Sequence, residues 1–203
     1  MIDTHFNSVL PRKFYTRPVL TVAEELLGKM LVKNEGKNLL AGRIVEVEAY
    51  DGKIDEASHS FKGITKRNEV MFNEGGYLYV YFTYGAHFCC NVVAGKKNYG
   101  AAVLIRAVEP VTGIDVMIKR RFGRKLKNDN EIFNLTSGPG KVCKAFGINR
   151  EHSGIDLTDN FIFIMNEPKI NKSKMGVSKR VGISKSVDLP WRFFEKGNPF
   201  LSR

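Results

Sequence analysis

The stretch 42–50 constrains the fold most, because its residues alternate as in a β-strand and place two carboxylates on one face. With a period of two, one face carries Ile44, Glu46, Glu48 and Tyr50, and the other carries Val45, Val47 and Ala49. The apolar face can pack on a core, so we expect the acids to face a cleft or solvent. That position suits a general base beside an aromatic ring. An ordinary strand with solvated glutamates is the alternative that this pattern leaves open.

Length and charge narrow the classes of function. The chain has 203 residues, of which 43% are hydrophobic, and this is typical of one globular domain, predicted here over residues 1–203. The net charge of +11 predicts a polyanionic partner: DNA, RNA or an anionic membrane. There is no run of about 18 apolar residues to span a bilayer. The first residues also lack the basic and then apolar order of a signal peptide. Both observations disfavour a membrane as the partner.

The cysteines and histidines predict neither disulfides nor a metal site. Cys89, Cys90 and Cys143 are odd in number and two are adjacent, so we expect reduced thiols in a reducing compartment. The histidines are scattered, and no Cys/His cluster has zinc spacing. We therefore expect no metal and no cofactor.

Turn and capping signals predict an α+β chain. Thr21 and Glu24 have capping-box spacing for a helix that ends near Gly28. A hairpin is predicted to join a strand at 30–32 to the alternating stretch. Three strands with short connections follow, at 77–83, 88–94 and 101–108. They predict an antiparallel sheet.

The second half of the chain carries further helix signals. One helix is predicted after Pro110 and another from the SGPG sequence at 137–140 to Gly147. The lysine-rich stretch 169–180 has little apolar content and is predicted to be a mobile loop. A last strand is predicted around 191–194.

Tyrosines mark one predicted strand and the turn after it. Tyr77, Tyr79 and Tyr81 share a strand face, and Tyr84 follows at a turn beside Gly85. Aromatic residues at alternate strand positions usually pack on the core or across strands. A tyrosine at an exposed tight turn cannot be fully buried, so Tyr84 is a candidate wedge or stacking surface. Basic charge combined with exposed aromatic rings is typical of nucleic-acid binding.

Short motifs also recur in a fixed order along nearly the whole chain. They are EAYDG at 48–52, DEASHS at 55–60, GIT at 63–65, RN at 67–68, MF at 71–72, YVY at 79–81, YG at 84–85, FC at 88–89, Asn91, VLIRA at 103–107, SGPGK at 137–141 and RVGI at 180–183. Together they resemble the signature of the alkyladenine DNA glycosylase family, also called the 3-methyladenine DNA glycosylases.

The resemblance implies a function and a fold. The function is that of a monofunctional enzyme of base excision repair, which flips alkylated or deaminated purines out of duplex DNA and hydrolyses the N-glycosidic bond, leaving an abasic site. The fold is α+β, a single compact domain with a curved antiparallel β-sheet flanked by helices, similar to the C-terminal domain of formyltransferases. The expected partner is double-stranded DNA containing damaged purines, bound by a monomer without cofactor, metal or membrane. The expected location is the cytoplasm, at the nucleoid, in a prokaryote, or the nucleus in a eukaryote.

The resemblance assigns the chemistry to two residues. Glu48 resembles the catalytic base, which would activate a water molecule for attack on the anomeric carbon. Arg106 would position that water and a backbone phosphate. Glu46 matches no catalytic role and is expected to be structural.

The resemblance also implies a slot for the damaged base. The flipped base would lie between Tyr50 on one side and His59 with Tyr81 on the other, where electron-poor purines stack well. Asn91 at the floor would hydrogen-bond or clash at the position that carries the exocyclic amino group of guanine. Tyr84 would fill the space that the flipped nucleotide leaves. By residue type alone, His59 would equally be a buried structural histidine.

Two other functions compete with this interpretation. One is a nucleic-acid-binding domain without catalysis, like the C-terminal domain of methionyl-tRNA formyltransferase. The other is a bifunctional glycosylase-lyase with a lysine nucleophile, although no lysine is singled out by an apolar or charge-paired setting. Alkylated adenines are the expected substrates, and hypoxanthine and etheno adducts are open.

Overall fold

The structure is a computed structural model whose described residues are 9–83 and 85–202. Its helices are α1 (Arg12–Tyr15), α2 (Val19–Leu26), α3 (Ile114–Phe122) and α4 (Pro139–Phe146). Its strands are β1 (Met30–Asn34), β2 (Leu39–Asp51), β3 (Leu78–Thr83), β4 (His87–Ala94), β5 (Ala101–Thr112), β6 (Ile162–Met165), β7 (Met175–Ser178) and β8 (Arg192–Glu195). Short 3-10 helices lie at Glu69–Phe72, Asp129–Asn134, Arg150–His152 and Lys172–Lys174.

The long strand β2 is the centre of one antiparallel sheet. The strand order is β3-β4-β5-β2-β1-β6. One edge of β2 pairs with β5 from Ala41 to Asp51. The other edge is shared, because β1 pairs with residues 39–43 and β8 pairs with residues 46–48. Strand β7 then pairs with β8. The predicted α+β class with one curved antiparallel sheet is confirmed.

The alternation along β2 changes phase at a β-bulge. Between Ile44 and Glu46 the pairing with β5 advances by only one residue, so Val45 is the extra residue of the bulge. Ile44 therefore packs in the main core with Val47 and Ala49, whereas Val45 packs in a separate cluster on the side of the acids. The predictions that Ile44 shares the face of the acids and that Val45 shares the face of Val47 and Ala49 are both wrong. A bulge reverses the faces of all residues on one side of it, and hydrophobic periodicity alone does not reveal its position.

The two glutamates of β2 are buried rather than open to solvent. Glu46 and Glu48 have no exposed surface, which corrects the expectation of an open face. Segments from distant parts of the chain close over them, bringing Val181 and Ser202 within hydrogen-bonding distance. Buried carboxylates need charged or hydrogen-bonding partners, because they lose their hydration on folding.

The main core lies on one face of the sheet, beneath α2, α3 and α4. Leu26, Met117 and Phe146 of the helices pack there with Val92 of β4 and Ile105 of β5. Strand residues between the core positions point to the opposite face. That opposite face is the one available for a site.

Two local predictions are wrong. Helix α2 begins at Val19 after Pro18 and has no side-chain cap, so Thr21 and Glu24 lie within the helix instead of capping it. Pro18 occupies the N-cap position, and its ring fixes φ near the value found there, so the helix begins before Thr21. Residues 169–180, predicted to be a mobile loop, contain a 3-10 helix and β7. The pairing of β7 with β8 comes from tertiary structure that composition does not reveal.

Other local predictions are confirmed. Strands β1 and β2 form the predicted hairpin, and α4 runs from Pro139 to Phe146 and ends at Gly147 with φ 62°. The three cysteines are free and buried.

Within residues 9–83 and 85–202, no helix is long and apolar enough to cross a membrane.

Candidate active site

A cleft of about 500 Å³ opens on the face of the sheet opposite the main core. Its lining comes from alternate residues of β3, β4 and β5, because the residues between them point into the core. The loop after β2 and residues 181–185 complete the lining. The residues predicted for the site that line the cleft are Tyr50, His59, Tyr81, Asn91 and Arg106.

Glu48 lies beneath the cleft and is held by three donors. Its Oε2 accepts hydrogen bonds from Tyr50 Oη at 2.8 Å and from Arg106 Nη1 at 3.3 Å. Its Oε1 accepts from the backbone N–H of Val181 at 2.7 Å. Burial, reinforced by the charge of Glu48, raises the pKa of Tyr50, so the Tyr50 hydroxyl stays protonated and donates. A carboxylate has about four acceptor sites, so Glu48 can still accept a hydrogen bond from a ligand.

Arg106 lies between the two glutamates of β2. Its Nε is 3.0 Å from Glu46 Oε1, and its Nη1 faces Glu48. Burial would lower the pKa of Arg106, but the charges of Glu48 and Glu46 outweigh burial and raise it. Burial would likewise raise the pKa of Glu46, but hydrogen bonds from Ser202 and Arg192 and the charge of Arg106 hold it below its usual value. Arg106 therefore keeps its charge in one fixed position.

An aromatic cluster forms one part of the cleft wall. The rings of His59 and Tyr81 meet edge to face with centroids 4.5 Å apart, and Tyr79 stacks on Tyr81 at 5.6 Å. Nδ1 of His59 is 3.0 Å from Tyr79 Oη. Burial, with the charge of Arg67, lowers the pKa of His59, so the imidazole is neutral at neutral pH.

The ring of Tyr50 rests on a buried arginine. Cζ of Arg180 lies 4.5 Å from the centroid of the Tyr50 ring and 5.5 Å from that of Trp191. The guanidinium forms a two-point ion pair with Asp55, at 2.5 and 2.8 Å, and both side chains are fully buried. Asp55 belongs to the loop that carries His59, and Arg180 also donates from Nη1 to the backbone oxygen of Ala49 at 2.9 Å. Arg180 therefore links this loop to the strand that carries Tyr50.

Asn91 is buried at the floor of the cleft. Its Nδ2 donates a hydrogen bond to the backbone oxygen of Tyr79 at 3.2 Å. This bond engages the amide nitrogen, so Asn91 can present its side-chain oxygen to a ligand. An oxygen here accepts from a donor and repels another acceptor.

The remaining predicted site residue, Tyr84, lies outside the described residues. Thr83 before it lines the cleft, and Gly85 after it has a left-handed φ of 63°. The wedge role of Tyr84 therefore stays a prediction.

Comparison with known proteins identifies the family. A family model described as methylpurine-DNA glycosylase matches residues 13–199. The chain belongs to the methylpurine-DNA glycosylase family. It is thus a DNA glycosylase, an enzyme of DNA repair, and a binding domain without catalysis is set aside.

Three relatives show how far the similarity extends. Proteins from Alkaliphilus oremlandii, Chlorobium phaeobacteroides and Methanoculleus marisnigri are 46%, 45% and 46% identical to this chain over 200, 196 and 197 residues. The alignments cover 96% of this chain each time, and 98%, 97% and 98% of the relatives. Each relative carries the provisional name 3-methyladenine DNA glycosylase.

A second groove, of about 910 Å³, runs beside the cleft of this glycosylase. The two share Thr83, Cys89, Arg106 and Pro139, and residues 137–141 at the start of α4 line the groove. Burial raises the pKa of Cys89 to about 11, so its thiol is protonated and is a poor nucleophile. The groove extends from Arg106 to basic side chains outside the cleft, Arg121 and Lys141.

Several residues of the glycosylase site were not assigned roles from the sequence. Asp55 and Arg180 lie within the family motifs, and this is the signal that could have selected them. Ser202 and Arg192, which both bond Glu46, carry no such signal. Their importance follows from tertiary contacts alone.

Proposed function

We propose that this enzyme is a monofunctional glycosylase that flips alkylated or deaminated purines out of duplex DNA and hydrolyses their N-glycosidic bond. The observation that carries the proposal is the contact of Glu48 with Tyr50 and Arg106 at the base of an aromatic cleft. A buried carboxylate held by donors suits a general base kept in one orientation.

Hydrolysis would proceed through one water molecule. Glu48 would accept a proton from the water molecule while the oxygen of that water forms a bond to the anomeric carbon. The bond between that carbon and the purine nitrogen breaks, and its electron pair leaves with the base. The negative charge of Glu48 would also stabilise the oxocarbenium-like transition state. Nη1 and Nη2 of Arg106 each carry two N–H groups, so the guanidinium can hold Glu48 and also contact the water or a phosphate.

The depth of the site supports base flipping. Glu48 has no exposed surface, so a glycosidic bond inside a stacked duplex cannot reach it. Tyr84 would fill the space that the flipped nucleotide leaves. The base would stack between Tyr50 and the pair of His59 and Tyr81. A neutral His59 favours cationic alkylated purines, because no like charge opposes them.

Asn91 would select among purines. The backbone oxygen of Tyr79 holds the amide in place. The rejection would be steric, because a fixed amide leaves no room for the exocyclic amino group of guanine, although the Asn91 oxygen can accept from a donor that fits. Alkylated adenines are the proposed main substrates, in keeping with the names of the relatives. Hypoxanthine and etheno adducts lack that amino group and are proposed as secondary substrates.

The proposed partner is double-stranded DNA containing damaged purines. The net charge of +11 and the groove that contains Arg121 and Lys141 support this partner. The enzyme would act as a monomer, in the cytoplasm at the nucleoid if prokaryotic, or in the nucleus if eukaryotic.

Duplexes with single defined lesions test the proposal. Oligonucleotides would carry one 7-methylguanine, hypoxanthine or ethenoadenine, and DNA treated with dimethyl sulfate would serve for release of 3-methyladenine. Abasic sites would be scored by alkali cleavage, with an undamaged duplex of the same sequence as the control. Abasic sites are expected with the hypoxanthine and ethenoadenine duplexes and with the treated DNA, and fewer with 7-methylguanine, whose amino group Asn91 would crowd. Their absence from every substrate would refute the proposal.

The lyase alternative has its own test. Lys185 lies at the cleft, but its ammonium is exposed and pairs with Glu56 at 3.1 Å. A lysine activated as a nucleophile needs desolvation or a nearby cation. We expect borohydride to trap no covalent adduct between enzyme and DNA, and a trapped adduct would establish a lyase instead.

A further inference from the structure

Ser202 contacts both Glu46 and Arg106. Its hydroxyl oxygen lies 2.7 Å from Glu46 Oε1, 3.2 Å from Arg106 Nε and 2.9 Å from Arg106 Nη2. Its backbone N–H donates to Glu46 Oε2 at 2.6 Å. A serine hydroxyl offers one donor and two acceptor lone pairs. Here the donor is directed to Glu46 and both lone pairs to Arg106.

The segment that carries Ser202 is anchored to the sheet. Phe200 is buried against Val45, the extra residue of the β2 bulge, and Ala107. Its backbone N–H also donates to Asn198 Oδ1 at 2.9 Å. The bulge thus provides an apolar position on the acid side of the sheet. Packing at that position places Ser202 over Glu46.

Arg106 contacts two carboxylates, those of Glu46 and Glu48. Its contact with Glu46 is 3.0 Å and its contact with Glu48 is 3.3 Å. Glu46 also binds Arg192 at 2.7 Å, so Glu46 does not depend on Arg106 alone. Ser202 bonds to the Nε and Nη2 edge of the guanidinium. This contact fixes the rotation of the guanidinium that directs Nη1 toward Glu48.

We infer that Ser202 is a positioning residue for the glycosylase reaction. It acts by holding the guanidinium of Arg106 in the orientation that places Nη1 against Glu48. The inference rests on the proposed function. Ser202 does not line the cleft that would hold the base, but it lines the groove beside it. Its contacts with both Glu46 and Arg106 favour a role through Arg106, and affinity for DNA distinguishes that role from a direct contact with the duplex. Loss of its hydroxyl frees one edge of the guanidinium, and small displacements of a catalytic group reduce rates by up to about a hundredfold.

The test compares Ser202→Ala and Ser202→Thr with wild type. Single-turnover excision from the best duplex substrate measures the rate. Affinity for a duplex with a tetrahydrofuran abasic-site analogue measures binding. For Ser202→Ala we expect a rate about 10 to 100 times lower, with affinity within about twofold. The melting temperature should fall by only a few degrees, because Glu46 and Arg106 lose their hydrogen bonds to the hydroxyl but keep their other partners. Ser202→Thr keeps the hydroxyl and should recover most of the rate. Ser173→Ala, an exposed serine bonded to Asn171, is the control.

A double variant shows whether Ser202 acts through Arg106. Lysine at position 106 keeps the charge but has no guanidinium edge for Ser202 to hold. In the Arg106→Lys background, Ser202→Ala should therefore reduce the rate by less than about twofold further. A full additional loss, or a Ser202→Ala rate equal to wild type, would overturn the inference while leaving the proposed function intact. No excision by wild type would overturn both.

Discussion

Glu48 illustrates how a residue's role depends on its immediate partners. It is fully buried, and donors from Tyr50, Arg106 and Val181 hold it. A glutamate with these contacts is rigid before substrate arrives. Its reactivity is then decided by what it can still accept, which is one hydrogen bond or a proton.

Replacing Glu48 by glutamine should remove catalysis and preserve binding. The amide keeps the shape but accepts no proton, so we expect a single-turnover rate at least a thousandfold lower. Affinity for lesion DNA should stay within a few fold. Stability should fall by about 1–3 kcal/mol, because the amide N–H₂ must face a donor. Glu24→Gln, on the exposed side of α2, is the control. A Glu48→Gln rate above a tenth of wild type would exclude the assignment.

Shortening Asn91 should broaden the range of substrates. Asn91→Ser removes the amide that hydrogen-bonds Tyr79 and would crowd guanine. Removing one such clash is worth about 1–3 kcal/mol, or roughly ten- to two-hundredfold. We expect activity on undamaged or alkylated guanine to rise and activity on alkylated adenine to remain. Base release from duplexes with single lesions measures both. A parallel loss on all substrates would make Asn91 a structural strand residue.

His59 should titrate below its usual range. Burial and the charge of Arg67 lower its pKa from 6.5. The unfolded chain therefore binds this proton first as the pH falls, so the contribution of neutral His59 to stability is complete above about pH 6.5 and declines below it. An NMR titration of the ring protons measures the pKa directly. A value of 6.5 or higher would contradict the buried, neutral imidazole.

At the scale of elements, a buried ion pair joins the loop after β2 to the segment before residue 181. Asp55→Ala would leave Arg180 charged and unpaired beneath Tyr50, where both partners are fully buried. We expect a loss of about 3–5 kcal/mol in the free energy of unfolding, measured with urea. Glu56→Ala is a matched control, because Glu56 is the next acid in the chain but pairs with Lys185 in solvent. The Glu56→Ala variant should lose less than about 1 kcal/mol in the free energy of unfolding. Similar losses for both variants would show that the buried pair does not anchor the loop.

At the scale of the whole molecule, net charge should govern affinity for DNA. Each neutralised phosphate contributes about 0.9 to the slope of log affinity against log salt. Lys141 lines the groove beside the cleft, whereas Lys119 is exposed on α3 and lines neither cavity. We expect Lys141→Gln to reduce the slope by about 0.9 and Lys119→Gln to leave it unchanged. Affinity that is independent of salt would mean that the charge does not serve DNA binding.

Much of the architecture was predictable from local signals. The β1–β2 hairpin, the run of β3, β4 and β5, and α4 with its terminal glycine all follow from periodicity and turn residues, which act over a few positions. The candidate site was predictable through the family motifs. Glu48, Tyr50, His59, Tyr81, Asn91 and Arg106 do come together.

The sequence by itself determined which residue types lie on which strands, the excess of positive charge and the family. Tertiary structure alone decided which side of the sheet each residue of β2 faces and that Glu46 and Glu48 are buried. It also decided the contacts that hold Arg106 and Tyr50 in place. The physical reason is separation along the chain. Ser202 lies 156 positions from Glu46, and Arg180 lies 125 from Asp55. Such pairs form only after packing brings them together, and no local pattern encodes the partner.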